Sequence, residues 1–498
     1  MKSTPLSFAL FLSLCSGVLM GLAMPGYELD GIAFGWLAWF ALVPVFYVVH
    51  HWSHIKAFRL FLPATITWSC FAHSWFMELF GTAFGLPLMI GAGFFFARVM
   101  HWGIWLSLKT PAKWRIFALP LFWCSIEYLR FVLPYLEDVW FVLVAKSQWQ
   151  QLNVLQLLSV TGFVGVSFLV LLSNTAITQL IINKQSNNSF SRSAMASLGF
   201  ICLVFAWGQY LLINQNNTSA KVNVAATVDL TNQDPKIQQL ADKPMDGEGY
   251  WADTQAMSQA IFDINAQLSR QVNSPVDVIV WPENEMASLD NHTMVTQVQD
   301  LAKALSSYLV VDLIWLEQGQ RFDTAVMFDP QGKEILRTPK IAITFREKQF
   351  GFSAGTAAQS KVVETRFGKV GLGICYDRHR LWISRHLKQQ GAEIILMPVD
   401  DDFKANRQFP LLHATDSVFR AIENRVAFGL GTTSGVSMVI SPYGEVVASS
   451  GINQREVIQG EVTLSSDTPF YSRFGDVFAW LVCLITLGLI MRARRKSN

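Results

Sequence analysis

Lys369-Val-Gly-Leu-Gly-Ile-Cys375-Tyr-Asp377 is the most telling segment of the chain. Val370–Ile374 is apolar with small residues interleaved, which predicts a short buried strand. The strand runs into a cysteine, and polar residues follow at once. A rigid strand end that opens toward a loop is where a scaffold presents a nucleophile. On either side, strand-like and helix-like segments alternate. Val222–Val228, Val276–Trp281, Tyr308–Trp315, Ala325–Phe328, Glu334–Pro339, Ile394–Met397, Ala427–Thr432 and Val436–Ile440 read as strands. Asp253–Leu268, Val295–Ser306 and Leu411–Arg425 read as helices. Asp329-Pro-Gln-Gly332 and Ser441-Pro-Tyr-Gly444 are hairpin turn signals. This alternation predicts an α/β or mixed sheet sandwich.

The rest of the chain is different in kind. Of 498 residues, 51% are hydrophobic and only 15% charged, and the mean hydropathy is +0.30. That is too little charge for a soluble protein of this length. The excess is local: residues 1–213 are almost continuously apolar, 214–470 have an ordinary polar composition, and 471–498 hold a last apolar run ending in Arg492, Arg494, Arg495 and Lys496. At about 20 residues per crossing, eight spans are predicted, at 5–24, 31–49, 57–77, 82–106, 115–133, 154–182, 195–213 and 474–491. The first lacks a small-x-small cleavage site and is followed directly by further spans, so it reads as an anchor rather than a signal peptide.

Basic residues set the orientation. Lys2, the Lys56/Arg59 loop with His50, His51 and His54, the Lys109/Lys113/Arg115 loop, the Lys184/Arg192 loop and the C-terminal cluster fall on one side. The intervening loops carry Glu78, or Glu137 and Asp138 against Lys146. The 214–470 domain then faces away from the cytoplasm, toward the periplasm of a bacterium. A net charge of +2 gives no footprint for nucleic acid. Of six cysteines only Cys375 lies in the polar domain, so that domain has no internal disulfide to form.

Cys375 has company. Glu283 follows the strand run in Trp281-Pro-Glu283, and Lys340 follows another in Leu336-Arg-Thr-Pro-Lys340. A carboxylate to take the thiol proton, an ammonium to stabilise thiolate and oxyanion, and a thiolate to attack a carbonyl form a plausible set. Other features read more plainly. Asp400–Asp402 reads as a solvated acidic loop, and the histidines near 50 as interface anchors. Glu127 and Arg130, ionisable inside a span, fit equally an i, i+3 pair or a seat for a lipid head group.

Val-Ile-Val-Trp281-Pro-Glu283, Lys340, Gly-Ile-Cys375-Tyr-Asp, Phe419-Arg-Ala-Ile-Glu-Asn-Arg425 and Ser441-Pro-Tyr-Gly-Glu-Val together resemble the carbon–nitrogen hydrolase (nitrilase) superfamily over about 220–465. Glu127-Tyr-Leu-Arg130 with Trp140 beyond it, Gly162-Phe-Val-Gly165 and Thr468-Pro-Phe-Tyr-Ser-Arg473-Phe-Gly extend the likeness to the apolipoprotein N-acyltransferase family over the full length. The resemblance implies a polytopic α-helical membrane domain plus an α-β-β-α sandwich. It implies Glu283 as base, Lys340 as stabiliser and Cys375 as nucleophile, with Glu347, Tyr376 and Asp377 in support and Trp251 on a flexible arm. It also implies a phospholipid acyl donor, a diacylated apolipoprotein acceptor, a bacterial inner-membrane location, and chemistry without metal or organic cofactor.

Two departures bear on the substrate. Where the family carries Asn-Asp-Ala-Trp-Phe-Gly, this chain has Val399-Asp400-Asp401-Asp402-Phe403-Lys404. Asp377 stands where the acyltransferases usually have Glu. A membrane-tethered amidase, an acyltransferase with another acceptor, and a non-enzymatic lipoprotein-binding homologue are the alternatives these leave.

Overall fold

The computed structural model describes residues 5–29, 31–51, 54–139, 141–186, 191–215, 220–241, 254–273, 275–401 and 406–495. The backbone falls into two compact units, Met1–Gln215 with Phe474–Asn498, and Asn216–Arg473.

The first unit is helical. Among the described residues, four helices are long and apolar enough to cross a membrane: Thr82–Lys109, Phe163–Gln185, Arg192–Ile213 and Val477–Arg495. Leu6–Leu22, Gly35–His51, Ala57–Ala72 and Leu152–Thr161 are apolar but shorter, and Arg115–Val132 has 18 residues. The stretch 31–49, expected as one span, breaks into a 3-10 turn, Gly35–Trp39, and a helix, Val43–His51. That expected over 154–182 starts with two single turns before Phe163–Gln185. The break falls at Gly162, whose φ of 61° a side chain would resist. The helices pack at close range: a Cβ on Gly17 would lie 2.3 Å from the Ala64 carbonyl oxygen.

Glu127 and Arg130 are both buried. Glu127 Oε1 accepts from Val144 N at 2.7 Å, and the Arg130 guanidinium donates to the Val142 carbonyl. They hold the non-helical backbone that precedes the 3-10 turn Val144–Gln148. Apolar surroundings would leave those groups unsatisfied, so their first duty is structural.

The second unit is built on twelve strands: β1 Lys221–Val228, β2 Val278–Val280, β3 Tyr308–Glu317, β4 Gln320–Phe328, β5 Glu334–Pro339, β6 Val362–Thr365, β7 Gly368–Leu372, β8 Ile394–Val399, β9 Ala427–Thr432, β10 Met438–Ile440, β11 Val446–Ser449 and β12 Glu456–Thr463. Four helices flank them: α1 Thr254–Ser269, α2 His292–Leu305, α3 Leu381–Gln389 and α4 Gln408–Asn424. The pairing forks. One sheet runs β5-β4-β3-β2-β1-β12 and the other β6-β7-β8-β9-β10-β11. A single bridge, Thr432 to Val228, joins them.

The two sheets stack face to face. A Cβ on Gly429 of β9 would come within 2.8 Å of Val224 on β1. The outer face of the first sheet, with Ala225, Ile279, Leu309 and Val311, packs on Met257 and Ile261 of α1 and Met294 and Val298 of α2. On the other side, Leu387 of α3 covers Gly371 on β7, and Ile422 of α4 covers the turn at Gly444. The order is therefore helix, sheet, sheet, helix.

Most elements lie where the apolar pattern predicts them. Two strands are shorter than expected, because Val276 and Val436 fall outside the ladder. The hairpin at Asp329 closes through Asp329 N to Lys333 O at 2.9 Å, with Gly332 at φ 76°.

Candidate active site

Cys375 begins a 3-10 turn, Cys375–His379, three residues beyond the end of β7 at Leu372. Its φ is 39°, a left-handed value that a non-glycine residue adopts only when the surroundings impose it. The Asp377 carboxylate imposes it. One oxygen accepts from Ile374 N at 3.0 Å, and the other from Ile341 N and Ala342 N at 3.1 and 2.7 Å. One side chain thus fastens the cysteine turn to the segment that follows Lys340. Burial pushes the Asp377 carboxyl up to about 6 against the pull of those N–H groups and of Lys340.

Glu283 sits three residues beyond β2. Trp281 anchors the approach, its indole N–H donating to Ser269 Oγ at 2.9 Å. Glu283 Oε2 accepts from Asp400 N at 2.8 Å, and Oε1 pairs with Lys340 Nζ. Cys375 Sγ lies 3.5 Å from the Asp400 carbonyl oxygen, so base and thiol meet across one residue of the loop after β8. Lys340 follows β5 and donates its N–H to the Asp323 carbonyl at 2.8 Å. Its ammonium also reaches Glu347 Oε1 at 2.5 Å and Asp323 Oδ2 at 3.4 Å. Glu347 is aimed by a capping box: its other oxygen accepts from Thr344 N at 2.7 Å while its N–H donates to Thr344 Oγ1 at 3.3 Å.

Glu283, Lys340 and Cys375 are 6%, 1% and 6% exposed. Burial, reinforced by Glu283, raises the Cys375 thiol well above the usual range, with Lys340 opposing. Burial also raises Glu283 well above an ordinary carboxyl, against the pull of Lys340. Burial alone would lower the Lys340 ammonium, but Glu283, Asp323 and Cys375 hold it well above an ordinary lysine. Cys375 therefore rests as a thiol beside an unusually basic carboxyl group and a fixed cation. Such an arrangement deprotonates the sulfur as it attacks and stabilises the oxyanion that forms.

The structure brings Glu283, Lys340, Cys375, Glu347 and Asp377 together. The Tyr376 ring packs 5.0 Å from His379, beneath the Arg380 guanidinium. Trp140, Trp251, Asp402, Phe403 and Lys404 lie outside the described residues. The expected solvated loop at 400–402 is corrected at Asp401, which is fully buried. Asp401 takes the Arg378 guanidinium at 3.3 Å on both oxygens and contacts the His413 ring. Against the effect of burial, His413 and Arg378 hold its carboxyl below the usual value. Burial and then Arg378 push His413 down to about 4, so its ring is neutral. Nothing near 401 in the sequence announces Arg378 or His413, which come from other elements.

Asp312 and Asp323 were missed as well. Asp312 is an acid inside an otherwise apolar strand run, Tyr308–Trp315, and that was the available signal; Asp323, in Gln320-Arg-Phe-Asp-Thr324, carried none. Two groups could gather metal ligands, Cys375/Asp401/His413 and Glu283/Asp323/Glu347, with donor atoms within 4.8 Å of one another. In each a protein cation already lies among the donors: Arg378 on Asp401, and Lys340 on all three of the acids.

Two families match the chain. Carbon-nitrogen hydrolase covers residues 233–469, and the apolipoprotein N-acyltransferase N-terminal domain covers residues 16–176. An apolipoprotein N-acyltransferase of Geobacter metallireducens is 25% identical over 98% of this chain and 95% of its own length. One of Borreliella burgdorferi is 24% identical over 96% and 94%. An amidase from Nesterenkonia sp. AN1 superposes on 52% of this chain and 98% of its own, at 18% identity and a TM-score of 0.40. The second unit is thus a nitrilase-type carbon–nitrogen hydrolase domain, with the two-sheet sandwich of that class. The N-terminal match and the full-length relatives agree, so along its whole length the chain is similar to the apolipoprotein N-acyltransferases.

Proposed function

We propose that this protein transfers an acyl chain from a phospholipid, through a thioester on Cys375, to the α-amine of a diacylglyceryl-cysteine apolipoprotein. The observation that carries the reading is one chain that joins an acyltransferase N-terminal domain to a buried Glu283–Lys340 pair facing a cysteine. Glu283 takes the thiol proton as sulfur attacks the ester carbonyl, and Lys340 stabilises the oxyanion. The ester C–O bond breaks, Glu283 returns the proton to the leaving alkoxide, and a lysophospholipid departs. The acceptor amine then attacks the thioester and gives a proton to Glu283. The C–S bond breaks, the thiolate regains that proton, and an amide is released.

Both reactants are confined to a bilayer, which turns a three-dimensional search into a positioned encounter. The charge pattern of the loops supports insertion in a bacterial inner membrane with the catalytic unit on the periplasmic side. Asp377, which leans toward the hydrolases by residue type, serves as a backbone clasp, so its identity says little about the acceptor.

The test is complementation of a strain depleted of lipoprotein N-acylation, with mass spectrometry of lipoprotein N-termini. Triacylated termini are expected from the wild type and diacylated ones from Cys375→Ser. Diacylated termini from both would sink the acyltransferase reading. A Cys375→Ser protein that still takes label from an acyl-labelled phospholipid would remove the nucleophile.

A further inference from the structure

Asp312 and Asp323 lie beneath the candidate site, 2% and 1% exposed, and the mechanism above uses neither. They sit on neighbouring strands. Asp312 of β3 is opposite Ala325 of β4, and Asp323 is opposite Ile314, which makes the two acids diagonal neighbours on one face. Each also grips a different part of the triad. Asp312 Oδ2 accepts from Asn284 N at 2.9 Å and Glu285 N at 2.6 Å, the two residues directly after Glu283. Glu285 is held there at φ 45°. Asp323 accepts the Lys340 N–H on its carbonyl and faces the ammonium at 3.4 Å.

Their remaining oxygens are the decisive point. Among the described residues, Asp312 Oδ1 and both Asp323 carboxylate oxygens accept no hydrogen bond from a third group, the Lys340 ammonium approaching Asp323 Oδ2 only as an ion pair at 3.4 Å. Instead the two carboxyls face each other across the strand pair. Two carboxylates are acceptors only, so such neighbours can bond only through a proton between them. The charge census requires the same. Glu283 and Glu285 face the pair from the loop after β2, Glu347 from the helix Phe345–Gln349, Lys340 from the end of β5 and Arg321 from β4. Five buried or half-buried carboxyls against two cations cannot all be ionised.

We propose that Asp312 and Asp323 share one proton and form the positioning pair of the triad, Asp312 fixing the turn that carries Glu283 and Asp323 fixing Lys340. The assignment rests on the catalytic reading of Glu283 and Lys340 given above. The pair has a functional consequence. Burial, partly offset by its hydrogen bond to Asp323, pushes Asp312 up to about 7. Near neutrality the pair passes from two protons to the one it shares, the site gains a negative charge, and formation of the Cys375 thiolate is opposed. Asn at 312 keeps an acceptor for the two backbone N–H groups and a donor toward Asp323, but has no proton to lose.

The test uses the full-length protein in detergent. Alkylation of Cys375 by iodoacetamide, read by peptide mass spectrometry, is followed from pH 6 to 8.5. Thioester formation from pyrene-labelled phosphatidylethanolamine is followed in parallel. The Asp312→Asn to wild-type ratio of alkylation rates is expected to rise about threefold across that range, since a neighbouring charge shifts a thiol by a fraction of a pH unit. Asp312→Ala, which frees the turn behind Glu283, is expected to lower single-turnover thioester formation about a hundredfold, with rescue by Asn. A ratio that stays flat with pH overturns the shared proton. An Ala variant within twofold of wild type overturns the positioning role. If wild type forms no thioester but the alkylation ratio still rises, the pair stands and the acyl-transfer reading falls.

Discussion

At Cys375 the backbone is held at φ 39° by neighbours rather than by preference. Leaving that left-handed region to glycine relieves about 1–2 kcal/mol. Cys375→Gly is therefore expected to unfold at a higher temperature than Cys375→Ala, although both are inactive. Equal midpoints in a detergent thermal-shift assay would show that the turn is unstrained. Asp377 supplies the opposing hold. Asp377→Ala strands three buried N–H donors and is expected to cost about 2–4 kcal/mol. The deficit depends on pH. The folded carboxyl titrates at about 6, above its unfolded value of about 4, so the folded state keeps the proton longer. Wild-type stability then falls as pH rises from about 4 to 6. The gap to Asp377→Ala should be widest near pH 4 and narrower at pH 7.

The residues at strand ends were legible in the sequence because a catalytic group needs such a position and sits in a recognisable string. Asp312 and Asp323 were not, since an acid within a strand gains meaning only when the register supplies its partner. Asp401 misled for a related reason. Three consecutive acids look solvated until Arg378 and His413 arrive from other elements.

Among elements, the closest approach near the site is between β9 and β2. A Cβ on Gly431 would lie 2.5 Å from the Val280 carbonyl oxygen and 2.9 Å from that of Trp281. Those are backbone atoms, so the strand leading to Glu283 must move. Gly431→Ala is expected to cost about 1–3 kcal/mol in stability, and to reduce thioester formation more steeply than that loss alone explains. An acylation rate that merely tracks the folded fraction would show that β2 absorbs the shift. The period-2 and apolar-run patterns gave the strands well, because both sheets are buried on two faces. The helical unit was less legible. Apolar composition marks a stretch as buried in lipid or protein, but does not reveal a helix interrupted at Gly162, or a 3-10 turn at Gly35–Trp39. Glu127 and Arg130 belong to the same lesson, because the backbone they satisfy becomes visible only where the helix stops.

For the whole molecule, the alternation of basic and acidic loops makes a sided prediction. With 214–470 proposed to face the periplasm, Lys361→Cys should react with an impermeant maleimide on spheroplasts, and Lys113→Cys only after permeabilisation. The reverse pattern would invert the topology. Among the described residues four helices meet the length and hydropathy of a crossing, fewer than the eight spans expected, so the labelling pattern also constrains the number of spans.

The two stacked sheets share a single bridge, Thr432 to Val228, and the first is completed only when β12 pairs with β1 along Glu456–Thr463 and Lys221–Val228. Glu283 and Lys340 extend from that sheet, and Cys375 from the other. During synthesis the cysteine is thus made well before the last strand that locks base and cation opposite it. Pairings so distant in sequence form late. A polypeptide whose synthesis has not yet reached that strand carries an ordinary, unassisted thiol, and Cys375 gains Glu283 and Lys340 as fixed neighbours only as the last strand docks.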